Sequence, residues 1–146
     1  MFDFAFDWRN ELETNIEVLD QQHKEFFRIG RDIEQLLVIR CIGVTQQQLL
    51  DIICELREFV SYHFYTEETL MKKAGYEGYE FHANAHAQFF KQVQSIDMPA
   101  LAKNPYKELK KIKDMIQDWI FAHQFDNDFQ MADAIRRKLE QKEVRV

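Results

Sequence analysis

Four stretches of the chain repeat apolar residues at the three- and four-residue spacing of an amphipathic helix. The first stripe is Leu19, His23, Phe26, Phe27, Gly30, Ile33 and Leu37. The second is Leu49, Ile52, Leu56, Phe59, His63, Glu67, Leu70 and Met71, opened by a Thr45–Gln48 capping-box spacing and closed by Lys72, Lys73 and Gly75. The third is His82, His86, Phe89, Phe90 and Val93, broken by "SIDMPALAKNP". The fourth is Leu109, Ile112, Ile116, Trp119, Ile120 and His123, with Asn104 as N-cap and Pro105 in the first helical position. Short connections make sequential helices antiparallel neighbours, so the pattern predicts an all-α, up-down-up-down four-helix bundle. Ahead of it, Phe2, Phe4, Phe6 and Trp8 alternate at a strand period, but nothing in the sequence offers a partner strand. Residues 1–16 are therefore expected to form an extended arm with its aromatics packed inward. Residues 17–127 form the bundle core, and Met131, Ala132, Ile135 and Leu139 mark a short C-terminal helix over 128–146 of a single domain.

Composition agrees with helices. Four Gly and two Pro in 146 residues leave few turns, and 46% hydrophobic residues, 13 of them Phe, can fill a core. The net charge is −6, and the basic runs 107–113 and 136–142 are interleaved with acids, which argues against nucleic-acid binding. No run of 18 apolar residues is long enough to span a membrane. The N-terminus has neither a basic n-region nor a continuous apolar segment, so no signal peptide is expected. Cys41 and Cys54 form no Cys-x-x-Cys motif and are expected to be free thiols in a reducing cytoplasm.

The polar residues on the stripes change the picture. All five histidines (His23, His63, His82, His86 and His123) fall on core-facing positions, spread over all four helices. Glu67 joins them four residues after His63. A buried carboxylate needs a cation or a metal, and no Lys or Arg lies on any stripe. A carboxylate at a given offset from some histidine arises by chance about once in six, a second histidine about once in thirty. The conjunction on inward faces is therefore the informative fact. With Asp128, five residues after His123, there are seven candidate ligands, too many for one tetrahedral zinc and suited to two metals. Imidazoles with carboxylates favour iron, copper, manganese or zinc over calcium or magnesium. The zinc-protease motif and the paired Glu-x-x-His motifs of ferritin-like oxidases are absent. An offset of five turns Asp128 away from His123 on a regular helix, so the fourth helix must break or bulge within "HQFDND" for both to bind.

These residues resemble those of the hemerythrins, specifically the single-domain bacterial kind. The likeness rests on "DQQH" at Asp20–His23, "HFYTEE" at His63–Glu68, "HANAH" at His82–His86 and "WIFAHQFDND" at Trp119–Asp128, and it spans roughly residues 8–130. The resemblance implies two non-haem iron ions with an oxo or hydroxo bridge. His82, His86 and His123 would ligate one iron, His23 and His63 the other, and Glu67 and Asp128 would bridge them. The iron with two histidines would bind O2 reversibly, with Trp119 and Ile120 lining its pocket. Gln124 stands where the family usually has an apolar residue; a polar group there could bind the ligand, admit water or speed autoxidation. The implied role is O2 storage or delivery rather than enzyme catalysis. The alternatives are O2 or redox sensing through an unidentified protein partner, and peroxide or NO turnover by weak oxidase- or peroxidase-like chemistry. The expected state is a monomer or weak oligomer.

Overall fold

The computed structural model describes residues 4–144, leaving aside the side chains of His123 and of residues 141–144. Six α-helices follow a short 3-10 turn at Asn10–Leu12: α1 Glu17–Val38, α2 Gln46–Ala74, α3 Tyr79–Gln94, α4 Met98–Lys103, α5 Pro105–Asp118 and α6 Phe125–Val144. A π-helical turn, Trp119–Gln124, joins α5 to α6 without a break. Helices α1, α2, α3 and the composite α5–α6 make the four-helix bundle, with no strand among the described residues.

The termini of α2 obey the sequence. Thr45 Oγ1 accepts from the Gln48 N–H at 3.1 Å, while Gln48 Oε1 accepts from the Thr45 N–H at 2.8 Å. Gly75 then takes the left-handed conformation (φ 62°) that stops the helix, and the Tyr76 N–H closes back onto the Met71 carbonyl. Two expectations need correcting. The segment "SIDMPALAKNP" is a linker that contains α4, capped by Asp97 Oδ1 accepting from the Ala100 N–H at 3.0 Å, with Leu101 buried. Asn104 stands at the N-cap of α5 ahead of Pro105, as expected, but its side chain makes no capping hydrogen bond, and its N–H closes α4 on the Ala100 carbonyl. The buried face of α2 is also turned slightly: Ile53, Val60 and Phe64 are buried, whereas Ile52, Phe59 and Leu70 are only partly so.

The arm lies against α1. Phe6 is buried with its ring directly over Gly30, where an added Cβ would come within 2.6 Å of it. Glu34 Oε2 accepts from the Ala5 N–H at 2.7 Å and Oε1 from the Phe6 N–H at 3.0 Å, so a fully buried carboxylate pins the extended backbone. Phe4 is partly exposed beneath Arg31, and Phe2 lies outside the described residues. Two apolar clusters fill the bundle. The larger holds Phe6, Phe26, Ile33, Ile53, Leu109 and Ile116; the smaller holds Leu19, Met71, Ala74, Met131 and Ile135. The polar cluster built from His23, His63, Glu67, His82, His86 and Asp128 belongs to neither. No described helix is long and apolar enough to cross a membrane.

Candidate metal centre

Each helix of the bundle delivers part of one buried polar cluster. His23 comes from α1, His63 and Glu67 from one face of α2, His82 and His86 from one face of α3, and Asp128 from the first turn of α6. All six are at least nine-tenths buried. Asp128 reaches the cluster because of the π turn, where the Phe125 N–H bonds the Ile120 carbonyl five residues back. A wide turn brings residues five apart onto one side. Trp119 and Gln124 show this directly: the Trp119 Nε1–H donates to Gln124 Oε1 at 2.9 Å across that spacing. The bulge expected within "HQFDND" thus begins earlier, at Trp119, and includes His123, whose side chain lies outside the described residues.

The two carboxylates divide their oxygens between two sets of histidines. Glu67 Oε2 faces His23 Nε2 at 3.4 Å and His63 Nε2 at 3.2 Å, while its Oε1 faces His82 Nε2 at 3.2 Å and His86 Nε2 at 3.0 Å. Asp128 repeats the pattern, with Oδ2 2.9 Å from His23 Nε2 and Oδ1 3.0 Å from His82 Nε2. Two groups with converging ligand atoms result: His23, His63, Glu67 and Asp128, and Glu67, His82 and His86, with Glu67 common to both. Only part of this proximity is hydrogen bonding: His23 Nε2 and His82 Nε2 are bonded to Glu67. Both Asp128 oxygens and His63 Nε2 are buried and close to partners, yet none makes a hydrogen bond of acceptable geometry. Lone pairs that approach one another without bonding are what ligands of a shared cation look like, so the residues fit a metal.

The cluster is strongly charged. Burial by itself would lower the His23 pKa, but the Asp128 and Glu67 carboxylates reverse this and lift it from 6.5 to about 10. The same opposition raises His82 to about 9. Burial would raise the Glu67 pKa; the His63 charge and the bonds from His23, His63 and His82 hold it well below 4.5. Protons and a metal therefore compete for the same nitrogens.

Supporting groups that sequence spacing did not single out orient the imidazoles. The Tyr62 carbonyl can only accept, so Thr66 Oγ1 donates to it at 3.1 Å. The hydroxyl oxygen then accepts from Gln22 Nε2 at 3.1 Å, which turns Gln22 Oε1 toward His63. That oxygen accepts from the His63 Nδ1–H at 2.7 Å and leaves Nε2 bare on the cluster side. Glu68 Oε2 stands 3.1 Å from His86 Nδ1 and does the same for His86. A buried side chain next to a candidate ligand in sequence, as Gln22 is to His23, is the signal that could have found the first of these. Asp20, part of the "DQQH" likeness, points elsewhere: its carboxylate accepts from the Thr14 N–H, the Thr14 hydroxyl and the Asn15 N–H.

Around the cluster the walls are aromatic and aliphatic. Phe64 stacks on His86 with centroids 3.8 Å apart, Trp119 stacks on Phe89 at 4.6 Å, and Ile120 is completely buried. Gln124 is buried among them.

Antiparallel helices enclosing imidazoles that share two carboxylates define an all-α metal-binding bundle. The sequence comparisons say which one. The Hemerythrin HHE cation binding domain matches residues 14–135, and the chain belongs to the hemerythrin family. It is 28% identical over 128 residues to the bacteriohemerythrin of Clostridium acetobutylicum, covering 88% of this chain and 99% of that one. It is 29% identical over 135 residues to the bacteriohemerythrin of Pseudomonas paraeruginosa, covering 90% and 82%. A bacteriohemerythrin of Campylobacter jejuni is 28% identical over 117 residues, covering 80% and 85%. No solved structure matches the chain.

Proposed function

We propose that this protein binds O2 reversibly at a non-haem di-iron centre and serves in oxygen storage or delivery. The observation that carries the reading is the division of the Glu67 and Asp128 oxygens between two histidine sets, which is the arrangement two bridged metals require. In this reading His23 and His63 would hold one iron, His82, His86 and His123 the other, and Glu67 and Asp128 would be shared between them. When bound, the iron pair would supply the electrons for reversible O2 binding.

The chain's own residues do the rest. Gln22 and Glu68 fix the His63 and His86 tautomers so that Nε2 lone pairs face inward. Two carboxylates would offset half the charge of two ferrous ions and so lower the cost of burying them. Ile120, Trp119 and Phe64 exclude water, which slows loss of charged products from the pocket. The family membership supports iron as the metal, since the donor set alone also suits manganese and zinc.

The test is to load the anaerobic protein with ferrous iron, count iron per chain, admit O2 and follow the visible spectrum. About two irons per chain and a charge-transfer band that vanishes when O2 is withdrawn are expected. Rapid, irreversible oxidation would sink the carrier reading in favour of sensing or turnover. One zinc and no iron would sink the metal assignment.

A further inference from the structure

Gln124 has an unused donor. Its amide is 3% exposed, and Oε1 accepts from the Trp119 indole, but Nε2 has no hydrogen-bond partner. An indole N–H can only donate, so the amide oxygen must face Trp119 and the NH2 group must face away. The amide cannot flip without leaving two donors head to head. Trp119 is itself fixed, stacked on Phe89 and edge-on to Phe64 at 5.6 Å, and Phe64 is stacked on His86. The indole centroid lies 6.2 Å from that of His86, so the ring that anchors the amide packs on a residue of the cluster. Trp119, Ile120, Phe121 and Ala122 supply only apolar side chains to the same turn, apart from the indole N–H already in use. Anchoring the indole needs only the amide oxygen; a buried N–H2 left unpaired is a standing penalty unless something else accepts from it.

We propose that Gln124 Nε2 donates a hydrogen bond to the exogenous ligand of the centre, selecting small ligands that carry negative charge on their outer atom. The inference rests on the reading of the cluster as a ligand-binding di-iron site. It makes Gln124 a ligand-contacting, specificity-determining residue and Trp119 the positioning residue that aims it. A hydrogen bond to a charged acceptor is about twice as strong as one between neutral groups, so the donor discriminates for anionic ligands over neutral ones.

Azide is the probe, titrated against the iron-loaded, oxidised protein. Trp119→Phe and the double variant Trp119→Phe/Gln124→Leu are compared, because neither leaves an orphaned indole. Gln124→Leu is expected to bind azide roughly tenfold to a hundredfold more weakly than wild type at equal iron content, and the double variant more weakly than Trp119→Phe by a smaller factor, because the indole that aims the amide is gone from both. The metal-stripped double variant is expected to melt no lower than that of Trp119→Phe, since the lost N–H2 had no protein partner. The azide stretching band should shift in D2O in wild type and not in the double variant. Equal azide affinity with and without Gln124, or a D2O shift that survives its removal, overturns the assignment. Wild-type protein that holds no iron pair, measured first, overturns the centre itself and this inference with it.

Discussion

The molecule buries two pairs of carboxylates and treats them in opposite ways. Asp20 and Glu34 sit near the arm, and backbone and hydroxyl donors satisfy their oxygens: Ala5 and Phe6 for Glu34, Thr14 and Asn15 for Asp20. Glu67 and Asp128 face imidazole nitrogens instead, and neither Asp128 oxygen has a hydrogen bond of proper geometry. Burial does not separate the pairs, since Glu34, Glu67 and Asp128 are all completely inaccessible. What separates them is the kind of donor: backbone and hydroxyl groups bond Asp20 and Glu34, whereas only imidazoles face Glu67 and Asp128, and those beside Asp128 make no bond to it. A buried acid is evidence for a metal only after its donors have been counted.

The contrast can be broken most sharply by exchanging the pairs' fates. Glu67→Ala removes the residue common to both histidine sets, and iron content is expected to fall from about two per chain to below one, measured by metal analysis after loading. Glu34→Ala should leave iron per folded chain unchanged but orphan two N–H groups, lowering stability by about 2–4 kcal/mol in a denaturant titration. If Glu34→Ala strips iron while Glu67→Ala does not, the distinction is wrong.

Acidity sharpens it further. His23 and His82 have folded pKa values raised above 6.5, so their contribution to the metal-stripped protein is complete below pH 6.5. It is lost as pH rises through about 9 for His82 and about 10 for His23. The melting temperature of metal-stripped protein is therefore expected to decline between pH 6.5 and 10. Metal affinity should climb over the same range, because the metal needs bare nitrogens.

The smallest effect is expected at Gly30→Ala. The new methyl would meet the Phe6 ring at 2.6 Å. Overpacking of about 1–3 kcal/mol is partly offset by the roughly 1 kcal/mol gained in helix propensity. A net loss of about 1 kcal/mol is expected, with faster proteolysis of the arm and unaltered iron content.

Much of this architecture was legible beforehand. His23, His63, Glu67, His82 and His86 stood out as polar side chains on apolar stripes and Asp128 by its place five residues after His123, and the structure gathers all six. The rest was hidden for physical reasons. Adjacent apolar pairs such as Ile52–Ile53 and Phe59–Val60 leave the phase of α2 open until partners choose it. Glu34 and Gln22 sit among ordinary surface-type residues, and only the backbone of another segment or a neighbouring imidazole gives them a reason to be inside. The short α4 is too brief for a periodic signal, although Asp97 followed by Pro99 does mark its start.

The π turn at Trp119–Gln124 has a genetic corollary. It amounts to one extra residue inside an otherwise regular helix, so the positions before and after it are read in different frames. Excising Ala122 would restore an unbroken α-helix and leave Asp128, Met131 and Ile135 on the face they now occupy, whereas straightening the turn with every residue retained would swing them together by about 100° about the helix axis. A single lost codon there would therefore cost the bulge and spare the face, while a change that regularises the turn without shortening it would turn the acid and its apolar neighbours out to solvent at once.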